Sequence, residues 1–136
     1  MTTTNNSSKV MHFSLWAAQG FLALIFIWAA YTKLLQPLEE AAKMLPWAKD
    51  NPGLVKITGI IELLAVLGMI LPSALRIQPN LTVYAAYGII ALMISAAVFH
   101  ISRGEASLIG MNIFFLLLAA FVAWGRSKKA PILPKA

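Results

Sequence analysis

The sequence predicts an all-α, membrane-embedded four-helix bundle with a short interfacial helix in its first loop. Three observations lead there. Sixty per cent of the 136 residues are hydrophobic and 12% are charged, against about 45–50% and about 25% in soluble domains, and the mean hydropathy is +0.76. Asp, Glu, Lys and Arg are missing from 10–32, 77–102 and 106–125, while a fourth run, 57–75, is interrupted once, by Glu62. These runs are continuously apolar and rich in Ala, Leu and Met rather than alternating, which fits helices and not strands.

About 20 apolar residues, rising 1.5 Å each, cross a hydrocarbon core of about 30 Å. The runs therefore predict crossings at 15–35, 54–71, 81–100 and 108–124, within one domain over 15–126. Residues 1–14 are rich in Thr, Asn and Ser and read as a disordered lead. The apolar run behind them is longer than the core of a secretory signal, and little positive charge precedes it. Residues 127–136 form a short basic tail containing proline, too small to fold.

The connections differ in kind. Segment 72–80 is short and bounded by Pro72 and Pro79, with Asn80 placed to cap the next helix, so the second and third crossings form a hairpin. Segment 102–107 is equally tight. Segment 36–53 carries a pattern of its own. Pro37 and two glutamates open a turn, Leu38, Ala41, Ala42 and Leu45 share one side, and Pro46 stops it. This is a short helix in the headgroup layer, with Trp47 as its interfacial anchor.

Lys9, Arg76, Arg126, Lys128, Lys129 and Lys135 fall on one side of the membrane; Lys33, Lys43, Lys49, Lys56 and Arg103 fall on the other. The densest cluster is the C-terminal tail, which places both termini in the cytoplasm by the positive-inside rule. The net charge of +6 points to anionic lipid headgroups rather than nucleic acid, because the basic residues sit between and beyond apolar runs.

Polar side chains inside spans are the candidates for function. Four of them converge in the outer half: Lys33 near the end of the first crossing, Glu62 on the second, His100 closing the third and Asn112 opening the fourth. Glu62 lies roughly 12 Å below Leu54 at the helical rise. A charged side chain at a helix centre opposes insertion by about 2.5–3.5 kcal/mol, so Glu62 needs a partner, and Lys33 is within reach. Gly59 and Thr58 flank Glu62 on a face that a neighbouring helix can approach closely. Gln19, Phe26 and Lys33 recur at intervals of seven, on one stripe of the first helix. Gln19, Thr58 and Gly59 are thus supports of the cluster.

Other chemistry is missing. There is no cysteine, so this chain supplies no disulfide, thiolate metal site or iron–sulfur ligand. His12 and His100 lie a full crossing apart and predict no shared metal. No phosphate loop or nucleophile elbow is present, and Ser95 has no base at helical spacing. The residues do not assemble a self-contained catalyst.

The ordered set Tyr31-Thr32-Lys33-Leu34, Gly59-Ile60-Ile61-Glu62-Leu63, Leu67-Gly68-Met69-Ile70-Leu71-Pro72, His100 before Arg103-Gly104-Glu105, and Asn112 resembles the DoxX-like membrane proteins, over roughly residues 15–126. A glycine common before the lysine motif in that family is replaced here by Ala29-Ala30. The resemblance implies a four-helix bundle in a prokaryotic inner membrane, with an association to quinone-linked oxidation of sulfur compounds and to oxidative-stress assemblies. The resulting expectation is an accessory subunit that binds a quinone or lipid-like molecule in the outer-half pocket formed by Lys33, Glu62, His100 and Asn112. No cofactor is identified from the residues, a quinone being the candidate, and membrane lipids, a membrane-protein partner or a second copy are the expected associates. The alternatives are a non-catalytic scaffold or chaperone for a larger membrane partner and, behind it, a proton-coupled carrier using Glu62.

Overall fold

The structure is a computed structural model that describes residues 2–135. Five α-helices follow one another: α1 (Thr2–Leu34), α2 (Leu38–Met44), α3 (Pro52–Leu75), α4 (Asn80–Ser102) and α5 (Ile109–Trp124). A 3-10 turn, Ala106–Leu108, leads into α5, and a π-turn, Gly125–Lys129, leads out of it. Helices α1, α3, α4 and α5 are each long and apolar enough to cross a membrane, once the turns flanking α5 are counted with it. Helix α1 packs on α3, α3 on α4, α4 on α5, and α5 closes back on α1. Both termini lie at one end of the bundle; α2 and the 102–108 turn lie at the other.

Lipid is the solvent this surface is built for. Leu24, Leu64, Val98 and Leu117, one from each long helix, are 59–70% exposed, which in water would be a serious aggregation hazard. Tyr84 and Tyr87 are exposed as well. The interior is filled by Leu22, Phe26, Met69, Ile89, Phe115 and Val122, with the Phe26 and Phe115 rings edge to face at 6.0 Å. Because lipid tails are as apolar as the core, association here depends on close packing and hydrogen bonds rather than on expulsion of water. Gly59 provides a close approach of α1 to α3: a Cβ there would lie 3.0 Å from Lys33 Cβ and from Leu34 Cγ.

Three expectations about the boundaries are corrected. Met1 lies outside the described residues, but from Thr2 onward the segment read as a disordered lead is helical. Weak helix formers suffice there, because extending an existing helix needs no new nucleus. At 1.5 Å per residue the 33 residues of α1 span about 50 Å, so its first turns project beyond the hydrocarbon. Pro72 does not end the second crossing; α3 continues to Leu75. The missing N–H of Pro72 frees the Gly68 carbonyl four residues back, and the next carbonyl along, Met69 O, accepts from Gln19 Nε2 at 2.8 Å and from Thr82 Oγ1 at 3.5 Å. Neighbouring helices thus hold the backbone beside the break. Asn80 opens α4 without a capping side-chain bond, and Pro79 takes the cap position.

The tail is ordered by contact with the α3–α4 turn. Arg76 ends α3 in the left-handed region, φ 57°, where a non-glycine residue carries a cost of order 1–3 kcal/mol. Its side chain donates from Nε to Leu133 O at 2.9 Å, and its carbonyl accepts from the Lys135 amide at 2.7 Å. The short interfacial helix is present as expected, with Ala41 facing inward.

Gly59→Ala is expected to destabilise the bundle by about 1–3 kcal/mol, the usual cost of overpacking, because Lys33 and Leu34 cannot both retreat. Gly20 faces open space, so Gly20→Ala serves as the matched control and leaves stability unchanged or slightly higher. Thermal unfolding of both variants in detergent checks this.

Candidate functional site

Each long helix delivers one polar group to a cavity of about 370 Å³ at the loop end. Lys33 is the penultimate residue of α1, Glu62 sits about 15 Å along α3 at the helical rise, His100 is in the last turn of α4, and Asn112 is in the first turn of α5. All four line the same space, together with Thr58 and Ser95. Leu54, Leu92, Met93 and Ala96 make the walls apolar. The convergence expected from depth along the chain is what the geometry shows.

Lys33 Nζ donates to Glu62 Oε1 at 2.6 Å, with both side chains about nine-tenths buried. Burying two charges is unfavourable unless their remaining polar atoms are satisfied, and here they are not all satisfied. Glu62 Oε2 and Asn112 Nδ2 are buried without a hydrogen-bond partner among the described residues. Buried polar atoms in native proteins are almost always paired. An unmet acceptor and an unmet donor therefore share one cavity.

His100 is held from outside. Its Nδ1 donates to Glu105 Oε1 at 3.0 Å, and Arg103 Nε donates to the same oxygen at 3.2 Å. The bond from His100 outweighs the opposing loss of solvation and, with the added pull of Arg103, keeps the Glu105 carboxyl below the usual carboxylate range. Gly104, at φ +76°, makes the reversal between Arg103 and Glu105 that a side-chain-bearing residue would strain.

The cavity has a roof that the sequence reading misplaced. Trp47 is buried, not an anchor in the headgroup layer. Its ring meets Phe99 edge to face at 5.6 Å, and Lys33 Nζ lies 5.7 Å from its centroid. The segment after Pro46 folds inward because its backbone closes on itself: Ala48 N donates to Leu45 O, and Asn51 Nδ2 donates to Trp47 O. A tryptophan directly after an amphipathic helix, beside the end that holds the charged residues, was the available signal. Phe99, Ser95 and Glu105 also belong to the site and were not selected from sequence.

The supporting residues divide. Thr58 lines the cavity, and its hydroxyl donates back to Leu54 O at 2.8 Å. Gly59 stands beside the pocket as the contact point of α1 with α3. Gln19 does not join them. It lies 14 residues from Lys33, about 21 Å along α1, in a second polar cluster at the terminal end. There Gln19 Oε1 accepts from Arg126 Nε at 2.7 Å, while Ser73 and Thr82 pair their hydroxyls at 2.6 Å.

A family model matches residues 17–122, most of the chain, and its description is the DoxX-like family. The chain belongs to the DoxX-like family. No curated protein and no solved structure matches it. The matched stretch contains every residue of the loop-end cavity, so the DoxX-like fold and the cavity are features of the same segment. It is a multi-pass membrane protein.

Lys33→Met is expected to cost about 3–5 kcal/mol, because it strands a buried carboxylate. Adding Glu62→Met to it restores most of that loss. Unfolding of the single and double variants in detergent, run as a double-mutant cycle, gives the coupling directly.

Proposed function

We propose that this DoxX-like protein binds a small amphiphile, quinone-like or lipid-like, in the loop-end cavity, and acts as an accessory subunit in redox or oxidative-stress metabolism. The observation that carries the reading is the pair of unmet buried atoms, Glu62 Oε2 and Asn112 Nδ2, in one apolar-walled space. A ligand head that offers both a hydrogen-bond donor and an acceptor satisfies the two together, while its apolar part lies against Leu92 and Met93. Small-molecule sites have this character: mostly apolar walls with a few placed polar groups, between helices. The volume of about 370 Å³ suits a single ring or headgroup. Trp47 and Phe99 close the site from the headgroup side. The link to redox metabolism rests on the family resemblance.

We place the protein in a prokaryotic inner membrane with both termini cytoplasmic. The support is the positive-inside rule: the terminal end holds six of the eleven Lys and Arg residues and none of the five acidic ones. A second reading, a scaffold for a larger membrane partner, is favoured by one observation. The Lys33–Glu62 pair clasps α1 to α3 beside the Gly59 contact, so the cluster serves cohesion as well.

Titration of the protein in nanodiscs with a short-chain benzoquinone and its quinol, followed by Trp47 fluorescence against a Trp47→Phe control, tests the proposal. Saturable quenching is expected. Asn112→Leu should weaken binding roughly tenfold, the scale of one hydrogen bond lost from a buried group. No saturable response to either compound, with no quinone or lipid co-purifying by mass spectrometry, would sink the ligand reading. A loss of bundle stability in Asn112→Leu with unchanged affinity would favour the scaffold.

A further inference from the structure

The formal charge of the protein is entirely one-sided. Lys33, Lys43, Lys49, Lys56 and Arg103 at the loop end are matched in number by Glu39, Glu40, Asp50, Glu62 and Glu105, all in that half. The +6 therefore resides at the terminal end, on Lys9, Arg76, Arg126, Lys128, Lys129 and Lys135.

That end also has a shaped surface. An open groove of about 770 Å³ runs between the first turns of α1 and the C-terminal tail, lined by Lys9, His12, Phe13 and Trp16 on one side and Lys129 and Leu133 on the other. Arg126 stands behind this wall and is almost wholly buried. Its Nη1 donates to His12 Nδ1 at 2.9 Å and to Ala130 O at 2.9 Å, and its guanidinium carbon lies 5.5 Å over the Trp16 ring. Its Nη2 has no partner, and its guanidinium no carboxylate within ion-pair distance, among the described residues. The π-turn at Gly125–Lys129, closed by Ala130 N on Gly125 O at 2.7 Å, is what carries Arg126 inward. Such turns recur at functional sites.

We propose that this groove binds the phosphate headgroup of an anionic phospholipid. Charge complementarity identifies the occupant: two lysines on the groove wall, a buried guanidinium behind that wall, and no acidic side chain among the described residues at this end. Depth selects a lipid rather than a soluble anion. Counting back about 20 residues from Lys33 consumes the hydrocarbon thickness, which puts Lys9 and His12 at headgroup level. Phe13 and Leu133, 76% and 69% exposed, supply an apolar platform for the first acyl carbons. Basic pockets between membrane helices hold acidic headgroups by this combination. The site is independent of the loop-end cavity and of whatever that cavity takes.

The test uses the full chain in nanodiscs of equal phosphatidylglycerol and phosphatidylcholine, with retained lipid read by native mass spectrometry. Phosphatidylglycerol should be retained in preference, about one per chain at the strongest site. Lys9→Gln with Lys129→Gln should reduce that retention roughly fivefold per lysine, whereas Lys43→Gln with Lys49→Gln, which removes the same charge from the loop end, should leave it unchanged. Inorganic phosphate in millimolar excess should not displace the lipid. Equal retention of the two lipids, an equal loss in the loop-end variant, or displacement by free phosphate would each overturn the proposal.

Discussion

The structure depends on the fact that a carboxylate on α3 has no water to turn to. Glu62 sits in the loop-end half of a helix whose outer face, at Leu63 and Leu64, is exposed to lipid, and it is held by a single ammonium 2.6 Å away. Much else follows from keeping that pair together. Lys33 must come off the last turn of α1 at the height of Glu62, so α1 and α3 must be in close register. Gly59 makes that register possible by letting the α1 backbone approach without a side chain between them. The Trp47 ring then faces Lys33 from the other side, so the loop that connects the two helices is folded over the pair it brings together.

One ion pair does not complete the chemistry of the site. Lys33 satisfies one carboxylate oxygen and leaves the other open, and the Asn112 amide stays unengaged on the far helix. The Gln19–Arg126 cluster recruits more of its neighbours: Gln19 both donates and accepts, and Ser73 and Thr82 satisfy one another, with Arg126 Nη2 its one buried atom left without a partner among the described residues. The two clusters are the opposite ends of one stripe on α1, Gln19–Phe26–Lys33, with all three residues buried. The Gln19 end is the more densely bonded within the protein. The Lys33 end lines a cavity in which two polar atoms have no partner among the described residues.

Much of this was legible in the sequence, for identifiable reasons. Hydrophobic run length reports helix number directly, because the bilayer sets the length. Depth along each run then reports which polar residues can meet, and Lys33, Glu62, His100 and Asn112 do line one cavity. The failures have a common origin too. Pro72 was read as a local breaker, but Gln19 and Thr82 from other helices bond the Met69 carbonyl beside the break, a tertiary effect that no local rule contains. Trp47 was placed at the interface by residue type, whereas the turn after Pro46 buries it against Phe99. Gln19 was assigned to the Lys33 site by its periodicity, which establishes a shared face and says nothing of height. Residues 8–14 looked like a lead by composition, yet they extend α1 along the tail.

The terminal end shows why charge has to be assigned in three dimensions. A net +6 spread over a chain suggests little beyond a general affinity for acidic surfaces, but the loop end is neutral in sum and the excess belongs wholly to the other side. Arg126 is the decisive residue there. A buried guanidinium that gives its hydrogen bonds to Gln19, His12 and a backbone carbonyl is not neutralised by a carboxylate among the described residues. In a low-dielectric surrounding that charge is weakly screened and acts over a longer distance than an exposed lysine does. The protein therefore presents a fixed positive field at one membrane surface and a balanced, closed pocket at the other. The positive-inside rule accounts for the sign of that asymmetry; what it does not require is a guanidinium buried behind a groove rather than exposed at the surface.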